Sequence, residues 1–299
     1  MRIVVGGASG LIGTALVDCL RASGHEVWRL VRQGGAKDGI PWDPASGKLD
    51  ATELNGADAL IHLSGESVAS GRWTAAKKRA IRDSRILSTQ LLASALVAID
   101  RPPRTWLCAS AIGWYGDRGD AWLDEDAAPG AGFLAGVCAE WEAATEPAKD
   151  AGVRVANLRF GVVLSPDGGA LKQMTTAFKL GVGGVIGNGK QYVSWIAIGD
   201  AVRAIGHALE NPFLIGPVNV VSPNPVTNRE LTKTLGAVLH RPTLLPMPAF
   251  LARTALGEMA DEMFLASARV RPKRLIDSAF VFDLPELGPA LRAMLGPVG

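Results

Sequence analysis

A doubly wound α/β fold, built on a parallel sheet, is predicted by three features of this 299-residue sequence. The chain opens on a short apolar run (Ile3, Val4, Val5) with the character of a buried parallel strand. Glycines follow at positions 7, 10 and 13, and then Leu11, Ile12, Ala15, Leu16, Val17 and Leu20 fall at helical spacing. Further short apolar runs alternate with helix-periodic segments, and 35 glycines suit many strand-to-helix turns.

The first turn sets the expectation for function. Without side chains, its backbone can approach a pyrophosphate, and the following helix supplies free N–H groups and a partial positive charge. The last glycine lets helix and strand pack closely. Gly7, Ser9, Gly10, Leu11, Ile12 and Gly13 are therefore the expected pyrophosphate cradle. A tight turn serving structure alone is the alternative, and the strand–turn–helix context argues against it.

The second strand spans Glu26–Arg32. An acid at its end would hold the 2′-hydroxyl of NAD, but Val31 and Arg32 stand there. A guanidinium pairs bidentately with a 2′-phosphate, so Arg32 points to NADP, the alternative being a solvated charge at a strand end. Arg29 lies at an odd offset from Arg32 and is expected on the other face. Ala57 to Glu66 is the next buried strand and its turn, with His62 packed inside the strand. Its end, Leu63, Ser64, Gly65 and Glu66, should line the cofactor crevice, because ligands sit at the carboxyl ends of such strands.

Thr74 to Val97 reads as a long helix capped by Thr74. Its first half carries Lys77, Lys78, Arg79, Arg82 and Arg85, mostly a solvated face. A strand over Thr105 to Ala111 leads to Ile112-Gly113-Trp114-Tyr115-Gly116, and then come a polar loop to Gly132 and one helix over Phe133 to Asp150. Val153 to Phe160 is another strand. Residues 181–189 are too glycine-rich for a regular element. The expected organisation is a nucleotide-binding domain over 1–165, rejoined by 190–222, with 166–189 and 223–299 forming a smaller α/β lobe.

A net charge of +2 gives no reason to expect nucleic acid or a membrane surface, and no apolar run reaches membrane-spanning length. Cys19, Cys108 and Cys138 lack metal-ligand spacing and read as reduced core residues, which suits a cytoplasmic protein. Four scattered histidines support no metal site.

With these motifs in hand, the chain resembles an atypical extended short-chain dehydrogenase/reductase, of the nucleotide-sugar epimerase type with a C-terminal segment of unknown function. The resemblance rests on Gly6–Gly13, Ile61–Glu66, Asp83–Ile86, Ser110–Gly116, Ser194-Trp195-Ile196 with Asp200, and Pro272–Leu275. It implies a Rossmann domain, a nicotinamide cofactor and a catalytic Ser, Tyr and Lys. The sequence departs from that set. Ser110 fits the serine, but Phe133 and Val137 stand where the Tyr-x-x-x-Lys pair belongs, and no Tyr or Lys occurs from 133 to 148. Arg85 takes the place of a helix Asn. Two readings follow. In one, Ser110, Tyr115 and Arg85 surround a substrate oxygen in an NADP-dependent oxidoreductase of unknown substrate. In the other, the protein is a non-catalytic NADP(H)-sensing or regulatory module. A homodimer through the helices 74–97 and 133–150 is also expected, with Ala139, Ala143 and Ala144 allowing close approach.

Overall fold

The computed structural model describes residues 1–32 and 38–296. The apolar run at the start forms β1 (Arg2–Gly6), and the periodic segment after the glycines forms α1 (Leu11–Ala22). β2 covers Glu26–Val31, and Arg32 lies just beyond its end. A hairpin that the sequence pattern did not announce follows, with β3 at Gly39–Asp43 and β4 at Lys48–Leu49. β5 (Ala59–His62) is wholly buried. α2 runs from Ala75 to Ala98, and the Thr74 hydroxyl caps it by accepting from Lys77 N at 3.2 Å. β6 covers Thr105–Ala111 and the two-residue β7 covers Trp122–Leu123.

The helix expected over 133–150 is two helices, α3 (Phe133–Ala143) and α4 (Glu146–Asp150). Pro147 explains the break, since a proline belongs in a first helical turn and not in a helix interior. β8 (Arg154–Phe160), β9 (Val162–Leu164), α5 (Gly169–Lys179), β10 (Tyr192–Val193), β11 (Trp195–Ala197), α6 (Ile198–Glu210) and β12 (Gly216–Val220) complete the central part. β13 (Val226–Thr227), α7 (Asn228–Val238), α8 (Ala249–Leu256), β14 (Arg269–Val270), α9 (Lys273–Asp277) and α10 (Leu287–Leu295) follow.

One eight-stranded sheet has the order β12-β8-β6-β5-β1-β2-β3-β4. β1 pairs in parallel with β2 on one side and β5 on the other, Val4 facing both Trp28 and Leu60. The chain winds outward from β1 in one direction, then returns to start β5 on its other flank. The strand order therefore reverses between β1 and β5, where doubly wound sheets open a ligand crevice.

The chain forms two compact units. The first comprises residues 1–111, 137–159 and 202–218; the second comprises 112–136, 160–201 and 219–299. The second unit thus takes in more of the chain's middle than the expected small lobe. It has its own core, with Leu164, Phe178, Trp195, Leu235 and Leu291 buried together. It is also stitched by polar side chains. Ser194 Oγ donates to Ala268 O and accepts from Val270 N, and the Asp200 carboxylate accepts from Asp283 N and Leu284 N. Of the three cysteines, Cys108 and Cys138 are buried as expected, whereas Cys19 is exposed on α1.

Candidate cofactor and catalytic site

The crevice is built first by the glycine turn. Gly7 adopts a φ of +79°, and a Cβ there would lie 2.6 Å from the backbone carbon of Leu63. A Cβ at Gly13 would come within 2.1 Å of Gly7 O. By contrast, a Cβ at Gly10 would meet only Gly7 O, at 3.3 Å, so the turn is packed inward and open outward. Gly10 starts α1 with no side-chain cap, and no acidic residue occupies the first turn. Ser9 is exposed, and Leu11 and Ile12 are half-buried. This cradle fits a pyrophosphate, with N–H groups left for an anion and no carboxylate to repel it.

The opposite wall comes from the end of β5. Leu63 N donates to Gly6 O at 2.8 Å, which places Leu63 and Ser64 against the glycine turn. Glu66 N donates to Ser84 Oγ, and the Glu66 carboxylate pairs with Lys77 at 2.5 Å. Below the turn, His62 is fully buried, its Nε2 paired with Ser88 Oγ at 2.9 Å and its ring edge against Trp42. Burial pushes its pKa down to about 3, so it is a neutral packed histidine.

At the end of β2, Arg32 is exposed and makes no ion pair to a described residue. Arg29 is engaged elsewhere, donating to Asp38 at 2.6 Å, while Arg21 also pairs with Asp38. The bond from Arg29 holds the Asp38 carboxyl below its ordinary pKa. The nearby acid is therefore already neutralised by two cations.

The three residues expected to surround a substrate oxygen do not share one role. Ser110 is 3% exposed, and its hydroxyl donates to Glu142 Oε1 at 2.6 Å. Glu142 is held in turn by Arg159, whose Nε reaches Oε1 at 2.8 Å and whose Nη2 reaches Oε2 at 2.9 Å. A serine hydroxyl has one hydrogen, and here a buried ion pair takes it. Tyr115 is fully buried within the second unit, and its hydroxyl donates to Asn219 Oδ1 at 2.7 Å. Both hydroxyls expected at the substrate thus have internal partners in this structure. Glu142 and Arg159 were missed because nothing in the sequence aligns a helix residue with a strand residue 17 positions later.

Arg85 is different. Its Nη1 donates to Glu66 O at 3.0 Å and to Ile81 O at 2.9 Å, and its Cζ lies 5.1 Å from the centre of the Trp141 ring. Burial lowers its pKa, against the charges of Cys138 and Glu66, which raise it. At the start of α3, Phe133 N and Leu134 N donate to the Glu262 carboxylate, at 2.5 and 2.8 Å. Glu262 belongs to the helical segment Ala260–Leu265 and was not anticipated from sequence.

A family model for the NAD dependent epimerase/dehydratase family matches residues 3–221, and a domain of unknown function, DUF1731, matches residues 247–294. The chain belongs to the NAD-dependent epimerase/dehydratase family. It is 44% identical to an epimerase family protein of Mycobacterium bovis over 97% of this chain and 96% of that one. It is similar to the human epimerase family protein SDR39U1, whose crystal structure with NADPH matches with a TM-score of 0.91 at 36% identity, covering 98% of this chain and 99% of that one. A nucleoside-diphosphate sugar epimerase structure from Corynebacterium glutamicum matches with a TM-score of 0.82 at 38% identity, over 99% of this chain and 58% of that one. Like its family, this chain carries the glycine turn and the doubly wound sheet. No described helix is long and apolar enough to cross a membrane.

Proposed function

We propose that this protein binds NADP(H) and lacks ordinary sugar-nucleotide epimerase activity, acting as a cofactor-sensing or regulatory module. The observation that carries this reading is the fate of the acid/base groups. Phe133 and Val137 replace the usual dyad, and the Tyr115 and Ser110 protons go to Asn219 and Glu142. Epimerisation through a ketone needs a proton acceptor at the substrate hydroxyl with a pKa within reach of neutrality. A tyrosine sealed in a core does not meet that need.

For the cofactor, Gly7, Ser9, Gly10, Leu11, Ile12 and Gly13 would hold the pyrophosphate, and Arg32 the 2′-phosphate. Leu63, Ser64, Gly65 and Glu66 would form the wall beside it. When bound, the nicotinamide gives or accepts a hydride. Support for NADP(H) over NAD(H) comes from Arg32, from the neutralised Asp38 and from the NADPH held by the human relative. Removing one charge-assisted contact in Arg32→Ala should weaken NADP(H) binding by about 1.5–3 kcal/mol and leave NAD(H) nearly unchanged. Equal affinity of the wild type for both cofactors overturns this assignment. Robust turnover of common nucleotide sugars with NADP(H) overturns the absence of epimerase activity.

A second reading, a slow NADP-dependent reductase, is favoured by Arg85, which still has donors to offer a carbonyl oxygen. Single-turnover oxidation of bound NADPH against a carbonyl panel separates the two. A cytoplasmic location and a homodimer also belong to this proposal. Leu87 and Val97 on α2 are exposed, and a strictly monomeric mass by light scattering at about 10–50 µM counts against the dimer.

A further inference from the structure

Arg85 is a half-buried cation without a carboxylate partner. Its Nη1 is used by two backbone carbonyls, those of Glu66 and Ile81. The nearest acid, Glu66, gives its carboxylate to Lys77, which also donates to Ser70. The Trp141 ring lies beside the guanidinium. What remains is the edge formed by Nε and Nη2, with no acceptor on a described residue. That edge is the side-on fork with which arginine grips two oxygens of one planar anion.

A second observation concerns what packs on the guanidinium. A Cβ at Gly65 would lie 3.2 Å from Cζ and Nη2 of Arg85 and 3.5 Å from Nε. The φ of Gly65 is not in the left-handed region, so the backbone itself does not demand glycine there. Those three distances put the Cβ over the flat face of the guanidinium, so the missing side chain lets the loop after β5, at the end of the crevice, pack on that face while the in-plane edge stays unused.

We infer that Arg85, its face packed by the Gly65 backbone and its Nε/Nη2 edge unused, forms a binding site for the carboxylate of a small-molecule ligand held beside the cofactor. This rests on the crevice being the cofactor site. A neutral sugar hydroxyl would use one donor of the fork. A carboxylate uses both and supplies the missing countercharge. The ligand class is thus a small carboxylic acid, as substrate or as effector.

The test uses the full chain and oxalate as the probe, with neutral oxamide and inorganic phosphate as comparators. Each is titrated into NADPH-saturated and cofactor-free protein, while the Arg Nε–H region of the ¹⁵N spectrum is followed. Oxalate is expected to bind the NADPH-saturated protein saturably and to shift one Nε–H resonance that Arg85→Met removes. Arg85→Lys keeps the charge without the fork, and Gly65→Ala presses a Cβ against the guanidinium face at 3.2 Å and displaces it. Each should weaken oxalate by about tenfold or more, as loss of a bidentate contact implies. Should the methionine variant not fold, those two carry the test. The proposal falls if oxalate moves no Nε–H resonance, if oxamide binds as well, or if phosphate is preferred. It also falls if oxalate binds only in competition with NADPH, since the fork then serves the cofactor. NADPH affinity, measured by fluorescence in the same samples, shows separately whether the cofactor reading has failed.

Discussion

The glycine turn after β1 and the segment from the end of β6 into α3 are the two stretches in which the sequence places its expected ligand-facing groups. They have fared in opposite ways. In the turn, Gly7 and Gly13 leave no room for a Cβ against neighbouring backbone, and α1 begins uncapped. Polar groups are left pointing outward. After β6 the polar groups are turned inward: Ser110 to Glu142, and Tyr115 to Asn219. Holding a nucleotide and moving a proton are separable demands on a fold: the turn keeps its donors open, whereas Ser110 and Tyr115 have internal partners.

The largest expected effect tests whether the polar knot behind Ser110 is structural. Glu142→Ala strands a buried guanidinium and should cost about 3–5 kcal/mol by urea unfolding. The apolar pair Glu142→Leu with Arg159→Met should recover most of it, because two well-packed apolar groups avoid the desolvation of two ions. Failure to recover would mean that the pair does more than hold the fold. Next is Gly7→Ala, which imposes an unfavourable φ and a 2.6 Å contact with backbone. The strain alone is of order 1–3 kcal/mol, and NADPH binding should fall below detection by fluorescence titration.

The third concerns His62, beneath the turn. Its folded pKa, about 3, lies below the unfolded value of 6.5, so between these values the unfolded chain binds the extra proton. Stability is then fully present above pH 6.5 and is lost as pH falls, by about 2 kcal/mol at pH 5. A urea midpoint series from pH 7.5 to 5 checks this, and His62→Gln should flatten the slope. The smallest effect is that of Tyr115→Phe. It leaves the Asn219 carbonyl without that donor, should cost about 1 kcal/mol, and should not change cofactor affinity. A change in NADPH affinity would place Tyr115 in the crevice after all.

The halves of this comparison were unequally legible in the sequence. The turn is local: strand, glycines and helix lie within 20 residues, and periodicity exposes all three. The packed His62 and the Thr74 cap were legible for the same reason. That Phe133 and Val137 carry neither a hydroxyl nor an ammonium needs no coordinates. The long-range polar partners do. Glu142 meets Arg159 across helix and strand, and Glu262 reaches Phe133 over 129 positions. Such pairs depend on register and packing. The proline that divides α3 from α4 was visible and was outweighed by the apolar periodicity around it.

The Glu262 contact has a consequence in time. A ribosome adds about 5–20 residues per second, so the start of α3 waits on the order of 10 s for the carboxylate that accepts its first two N–H groups. Until then water must serve those donors. The nascent chain can complete its first nucleotide-binding turn early, while the neighbourhood of Phe133 stays provisional until Glu262 has been made.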